Sequence, residues 1–137
     1  MLMRAPSRLL ALLLACGLVL AGPASSRAAG PTEGAAPPYD GDLMRLAEIL
    51  GALHYLRPLC GVTAEAQRWR NEMQALIDTE QPSDARRAKI IASFNRGYSS
   101  YAEVYRSCTP AARVAVDRQL DEGGRLTHEI VVRYGGN

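Results

Sequence analysis

A pair of cysteines, Cys60 and Cys108, is the feature that most constrains how this chain folds. A third cysteine, Cys16, lies in an N-terminal segment that we expect to be removed on export. Outside the cytosol, two cysteines in a small domain are expected to join as a disulfide. The bond would close a loop of about 49 residues and stabilise the fold by about 4 kcal/mol on the chain-entropy estimate. The alternative is a pair of buried free thiols.

Residues 1–28 have the composition of a secretory signal peptide. Two arginines, Arg4 and Arg8, precede an apolar run at residues 9–20, and residues 26–28 (Ser-Arg-Ala) form a small–x–small cleavage site. The apolar run of about 12 residues is shorter than the roughly 20 that a transmembrane helix needs. We therefore expect a cleaved leader and no transmembrane segment in the mature chain.

The leader can also be interpreted as that of a lipoprotein. Leu13-Leu14-Ala15-Cys16 has the form of a lipobox, in which Cys16 would be acylated. Against this interpretation, the second lipobox position is large, and the chain stays hydrophobic for five residues after the cysteine. The prediction is therefore export to the periplasm, with a lipid anchor at Cys16 as the alternative.

Export changes the charge of the chain. The whole sequence carries a formal net charge of +2. Arg4, Arg8 and Arg27 leave with the leader, so the mature chain keeps 13 basic and 14 acidic residues. Nucleic-acid binding depends on a surplus of positive charge. The nearly neutral mature chain therefore argues against a nucleic-acid partner.

Residues 29–41 separate the leader from the rest of the chain. They hold three prolines and three glycines and little that can be buried, so we interpret them as a disordered linker. The remaining segment, residues 42–135, is long enough for one domain. A domain of this size has a small core, for which a disulfide is a useful constraint.

Four segments with helical periodicity predict an all-α domain. Caps, prolines and glycines set their ends. The first begins at Asp42 and ends near Arg57, the second runs from Thr63 to Gln81, the third begins at Ser83, and the fourth runs from Thr109 to Gly135. Short connections favour antiparallel neighbours, and hence a four-helix up-down bundle. In that topology the ends of the first and third helices, where Cys60 and Cys108 lie, share one pole.

The third segment has the most regular stripe of large side chains in the chain. Its members are Ile91, Phe94, Tyr98, Tyr101, Tyr105 and Cys108. We expect this stripe to face the core. In the fourth segment, Gly123-Gly124 either breaks the helix or makes room for a bulky neighbour such as Trp69, and we expect a kinked but continuous helix.

No catalytic or metal-binding pattern stands out in the sequence. If the two cysteines pair, no free thiol remains in the mature chain to act as a nucleophile. His54 and His128 have no second ligand at a helical offset of three or four residues. No pair of carboxylates is singled out for acid–base chemistry. We therefore expect a protein that is not an enzyme and that has no cofactor or metal.

The aromatic residues offer a candidate binding surface. Tyrosine and tryptophan combine a flat apolar face with a polar tip, which suits partner proteins and sugar rings. The candidate residues are Trp69, Phe94, Asn95, Arg96, Tyr98 and Tyr101. The alternative is that the rings simply form one face of the core.

Four short motifs carry a resemblance to a known family. They are Leu56-Arg57-Pro58-Leu59-Cys60, Trp69-Arg70 with Met73, Phe94-Asn95-Arg96-Gly97-Tyr98, and Cys108-Thr109. With them, the chain from Asp42 to Tyr134 resembles a family of small exported alphaproteobacterial proteins, a domain of unknown function. The resemblance implies that the two cysteines and the aromatic segment belong to the shared framework of the family. It implies no activity for any residue.

The sequence therefore favours an exported, non-catalytic helical binding module. We expect it to act in the periplasm as an accessory or adaptor protein whose partner is a protein of the cell envelope. The alternatives are a periplasmic stress chaperone or inhibitor and, third, an enzyme that acts on envelope polymers. The sequence does not predict the oligomeric state.

Overall fold

The computed structural model describes residues 34–136, so the predicted leader and residues 29–33 of the predicted linker lie outside the described part. Within that part the chain is helical and contains no strand, which confirms the all-α prediction. The elements are α1 (Asp40–Leu59), a 3₁₀ turn (Thr63–Glu65), α2 (Arg68–Glu80), α3 (Asp84–Val104) and α4 (Pro110–Tyr134).

Helix α1 is the central helix, and the other three pack around it. Its buried side chains point in every direction around the helix axis, as expected of a helix enclosed by others. They are Leu43, Ala47, Ile49, Leu50, Ala52, Leu53 and Leu56. Helix α1 therefore supplies half of the buried hydrophobic residues of the described part.

Contacts between the helices establish the up-down topology. Asp40 pairs with Arg86 and Glu48 with Arg96, so α1 and α3 run parallel. In contrast, Arg45 near the start of α1 pairs with Glu122 at the midpoint of α4, and Leu56 near the end of α1 packs on Ala112 at the start of α4. Helices α1 and α4 therefore run antiparallel, as the short connections predict.

The disulfide is present at the predicted pole. Cys60 and Cys108 are bonded, with Cα atoms 4.9 Å apart and a sequence separation of 48. The Tyr55 hydroxyl donates a hydrogen bond to the Tyr105 carbonyl beside the bond. A disulfide of this kind indicates an oxidising location outside the cytoplasm.

An ion-pair network ties the helices together at the opposite pole. The Arg86 guanidinium donates from Nε to Asp40 Oδ1 at 2.6 Å and from Nη2 to Glu80 Oε2 at 2.9 Å. This links the start of α1, the end of α2 and the start of α3. Tyr39 also packs here, with its ring centroid 5.3 Å from that of Tyr134.

Helices α1 and α3 touch through two glycines. A Cβ added at Gly51 would collide with the Phe94 carbonyl oxygen and lie 3.0 Å from Tyr98 N. A Cβ at Gly97 would collide with the Glu48 carbonyl oxygen and lie 2.8 Å from its carbonyl carbon. Only hydrogen fits at either position, so the two backbones are in direct contact.

This crossing corrects the predicted core face of α3. The buried residues of α3 are Ile90, Ser93 and Gly97, one position before Ile91, Phe94 and Tyr98 of the predicted stripe. Two of these three, Ser93 and Gly97, are small, because larger side chains at the close contact would separate the backbones. The rings flank that line, and Ile91 and Tyr98 are 41% and 39% exposed.

Several helix ends differ from the prediction. Helix α1 begins at Asp40 rather than at Asp42, because the long-range pairing of Asp40 with Arg86 holds an additional half-turn. It also continues through Pro58 in its last turn and ends before Gly61, which has a positive φ of 92°. Thr63 starts the 3₁₀ turn rather than α2.

The caps of the last two helices are as predicted. Ser83 Oγ accepts a hydrogen bond from the backbone N–H of Arg86 at 3.2 Å, and Thr109 Oγ1 accepts one from Ala112 at 3.1 Å. Helix α4 is continuous through Gly123-Gly124. A Cβ at Gly123 would lie 3.2 Å from Ile49 Cγ2, so the bulky neighbour is Ile49 and not Trp69.

The ion pair between Arg45 and Glu122 makes stability depend on pH. Arg45 donates two hydrogen bonds to the carboxylate, at 2.6 and 2.8 Å. These bonds hold the pKa of Glu122 below its ordinary value of 4.5. The unfolded chain therefore binds more protons than the folded chain as the pH falls from about 5. The stabilisation is fully present above the ordinary pKa and is lost as the pH falls through the folded-state pKa.

We expect Glu122→Gln to lower the free energy of unfolding by about 1 kcal/mol or less at pH 7, since both side chains are partly exposed. The difference from wild type should shrink as the pH falls below 4.5. Urea unfolding between pH 3 and pH 7 measures this, with Asp121→Asn at the exposed neighbouring position as the control. A Glu122→Gln difference that stays constant over this range would contradict the prediction.

Candidate functional site

The most distinctive surface of the described domain is a groove between α2 and α3. The two helices make few contacts with each other, and α1 forms the floor between them. Two hollows line this α2–α3 groove, with volumes of about 350 Å³ and about 200 Å³. The Tyr98 hollow is formed by Tyr98, His54, Tyr55, Leu59 and Gln67, and the Phe94 hollow by Phe94, Ile91, Asn95, Arg70, Met73 and Ile77.

His54 joins the two hollows. Its ring centroid lies 5.6 Å from that of Phe94 and 5.7 Å from that of Tyr98. Tyr55 adds an edge-to-face contact with Tyr98, with the centroids 5.3 Å apart. These rings therefore form a continuous aromatic surface that joins the α1 floor to the α3 wall, in which each ring is positioned by at least one other.

The electrostatics of His54 favour its neutral form. Burial lowers its pKa below the ordinary 6.5, and the positive charge of Arg70 lowers it further, while a hydrogen bond with the Ala66 backbone acts in the opposite direction. Its Nδ1 atom is buried and has no hydrogen-bond partner among residues 34–136. At neutral pH the floor of the groove is therefore uncharged.

The rim of the groove is polar. Arg70 and Asn95 are exposed, as is Gln74, whose Nε2 donates to Asp78 at 2.8 Å. Within the described part of the chain, no carboxylate lines either hollow. The groove thus combines an apolar, aromatic floor with amide groups and one arginine.

The structure brings three of the six predicted site residues together. Phe94 and Asn95 line one hollow and Tyr98 the other. The other three lie elsewhere. Trp69 is 8% exposed and faces Leu46 and Leu50, away from α3.

The remaining two predicted residues serve other contacts. Arg96 lies on the far side of α3, where its Nη2 is 3.5 Å from Glu48 Oε2. The Tyr101 hydroxyl accepts a hydrogen bond from buried Gln119 at 2.9 Å and so joins α3 to α4. Neither residue contributes to the α2–α3 groove.

Sequence reasoning missed the α1 and α2 side of this surface. His54 has no special spacing in the sequence, and Arg70 is one of many arginines. Met73 is buried and also lines the Phe94 hollow. These residues share a surface because α2 and α3 make few contacts with each other. No local sequence pattern indicates that arrangement.

Among residues 34–136, no group of three His, Cys, Asp or Glu side chains is placed to hold a metal ion. The helices of the same region include none with the length and apolar character to cross a membrane.

Comparison with known proteins assigns the chain to a family. A family model matches residues 38–134, which is the whole helical part from the start of α1 to the end of α4. The chain belongs to the DUF2385 family. The family is described as "Protein of unknown function (DUF2385)", which confirms the predicted membership of a domain of unknown function. No curated protein and no solved structure matches this DUF2385 chain.

Proposed function

We propose that this DUF2385 protein is a non-catalytic binding module of the periplasm, which holds a protein of the cell envelope in its α2–α3 groove. The observation that carries the proposal is the aromatic surface formed by Phe94, His54 and Tyr98. Rings fixed by their neighbours offer a large contact area at low entropic cost, which is typical of binding hot spots.

The exposure of this surface supports a role in binding. Tyr98 and Ile91 are 39% and 41% exposed, although both belong to a helix whose smaller residues are buried. Folding alone does not require large apolar side chains at these two positions. A partner that covers them would remove apolar area from water, at about 25 cal/mol per Å².

The disulfide supports a location outside the cytoplasm, and the predicted leader favours the periplasm in particular. A small domain held by Cys60–Cys108 can keep its groove preformed in that compartment. A preformed groove lowers the entropic cost of binding, because its side chains are already ordered. This is what an adaptor requires, and it is why we favour an adaptor over a chaperone or an enzyme.

Cross-linking in living cells tests the proposal. A photoreactive phenylalanine analogue at Asn95, on the rim of the groove, is expected to give one discrete protein adduct. The same analogue at Val132, which is 70% exposed on α4, should give none. Adding Tyr98→Ala to the Asn95 variant should reduce the adduct at least tenfold, because the ring forms part of the wall.

Four outcomes would contradict the proposal. Equal adducts at the two positions, or none at Asn95, would show that the groove is not the binding surface. Many different adducts that increase with heat or acid, together with binding of a hydrophobic dye, would favour a chaperone. Conversion of peptidoglycan fragments by the purified protein would favour an enzyme.

A further inference from the structure

Arg70 differs from the arginines that support the fold. Arg45, Arg57 and Arg86 each donate to a carboxylate of the domain at 2.6 to 2.9 Å. Arg70 makes no ion pair or hydrogen bond with any residue between 34 and 136, and it is exposed at the Phe94 hollow. Its positive charge is therefore available to a ligand.

The surroundings of Arg70 leave that charge without a counterion in the groove. Neither hollow has an acidic residue in its lining. Asp78, one turn beyond Gln74 on α2, accepts a hydrogen bond from Gln74 and does not line either hollow. After burial, the positive charge of Arg70 is the second cause that lowers the pKa of His54.

The apolar part of the groove has the dimensions of side chains. The Phe94 hollow, of about 200 Å³, is lined by Met73, Ile77, Ile91 and Phe94. A hollow of this volume takes one aromatic or branched aliphatic side chain. The amide of Asn95 at its edge offers a hydrogen-bond donor and acceptor for a peptide backbone.

We infer that the α2–α3 groove binds an acidic segment of a protein partner, with an apolar side chain in the Phe94 hollow and a nearby carboxylate paired with Arg70. This rests on the proposed function and names the chemistry of the partner. A carboxylate and a guanidinium can form two parallel hydrogen bonds, which gives orientation as well as affinity. A glycan fits less well, because the floor of the Phe94 hollow offers apolar side chains where sugar hydroxyls need polar partners.

Selection from a random peptide library tests this inference. The protein expressed from the full-length sequence is immobilised and used to select displayed 12-residue peptides at about 0.15 M salt. Enriched peptides are expected to carry Asp or Glu within a few positions of an aromatic or branched aliphatic residue. Synthetic versions should bind wild type at least tenfold more tightly than the Arg70→Gln variant.

Matched controls separate charge from other effects. Arg118→Gln removes an exposed arginine on α4, far from the groove, and should leave affinity unchanged. Replacing the peptide carboxylate with an amide should weaken binding to wild type at least tenfold. The same peptide change should have little further effect on Arg70→Gln, because the pair is already broken. Thermal melting should show that Arg70→Gln folds as wild type does.

The inference fails if no peptide is enriched, if the enriched peptides lack acidic residues, or if their affinity is insensitive to Arg70→Gln. Displacement of the peptides by peptide-free glycan fragments of peptidoglycan would point to a sugar ligand instead. If an Asn95 adduct still forms in cells while acidic peptides show no preference for wild type, the groove is a binding surface and only the inferred chemistry is wrong.

Discussion

Replacing Gly97 with alanine is expected to lower the free energy of unfolding by about 3 kcal/mol, the upper part of the range for overpacked sites. The added methyl group would overlap the Glu48 carbonyl group, which belongs to a helix backbone and cannot rotate away. Helices α1 and α3 would have to separate, which would loosen the contacts along the whole seam. Urea unfolding followed by circular dichroism measures the loss.

Gly124→Ala is the matched control for this substitution. It makes the same chemical change inside a helix, but a Cβ at Gly124 meets nothing within 4 Å. Alanine is favoured over glycine in helices by about 1 kcal/mol, so this variant should be more stable than wild type. If Gly97→Ala lowers the free energy of unfolding and Gly124→Ala raises it, the close crossing of α1 and α3 is established. A neutral or stabilising Gly97→Ala would show that the two backbones do not touch.

Removing the disulfide is the second change for which we expect a large effect. The double variant Cys60→Ser/Cys108→Ser removes a crosslink between residues 48 positions apart in the sequence. The chain-entropy estimate predicts that the free energy of unfolding falls by about 4 kcal/mol. For a domain of about 100 residues, that corresponds to a fall in Tm of about 20 °C. Helical content at low temperature should change little, because the core around α1 remains.

Reduction of the wild-type protein provides the control for the double variant. Wild type melted in excess dithiothreitol should show the same Tm as the serine variant, since both lack the crosslink. Agreement between the two would attribute the loss to the bond rather than to the serine hydroxyls. An unchanged Tm in either experiment would mean that the disulfide does not stabilise the fold.

Much of the architecture could be predicted from the sequence because its determinants are local. Ser83 and Thr109 are predicted from the sequence to start their helices, and in the structure both cap them. The prolines mark ends of the four helical segments, and the short connections between the segments make neighbouring helices antiparallel. That order of segments places Cys60 and Cys108 at the same pole of the bundle, where they are bonded. Each of these steps depends only on residues close together in the chain.

The orientation of α3 could not be predicted in the same way. Its large side chains have regular spacing, which normally indicates a core face. The structure buries Ser93 and Gly97 instead, because two helices that touch through their backbones need the smallest residues at the contact. A signal was available: Ser93 and Gly97 are four residues apart, as are Ala47 and Gly51 on α1. Two such pairs suit a close crossing.

The candidate site was predicted only in part for a related reason. Phe94, Asn95 and Tyr98 lie on one helix and share a face by periodicity alone. His54 and Arg70 join them only because α1 and α2 approach from different directions. The width of the groove depends on where α2 packs, and that is decided by Trp69 and Ile77 against the core. Tertiary packing brings these residues together, and they show no regular spacing in the sequence that would predict a shared surface.

The direct contact between α1 and α3 makes the two walls of the groove unequal in stiffness. Helix α3 makes the most extensive contact with α1 and approaches its backbone at Gly51 and Gly97, whereas the shorter α2 contacts α1 less extensively. Elements with few tertiary contacts undergo local opening at a lower free energy than the rest of a domain. We therefore expect α2 to be the wall that moves, so that the proposed groove would accept segments of different bulk without unfolding the rest of the molecule.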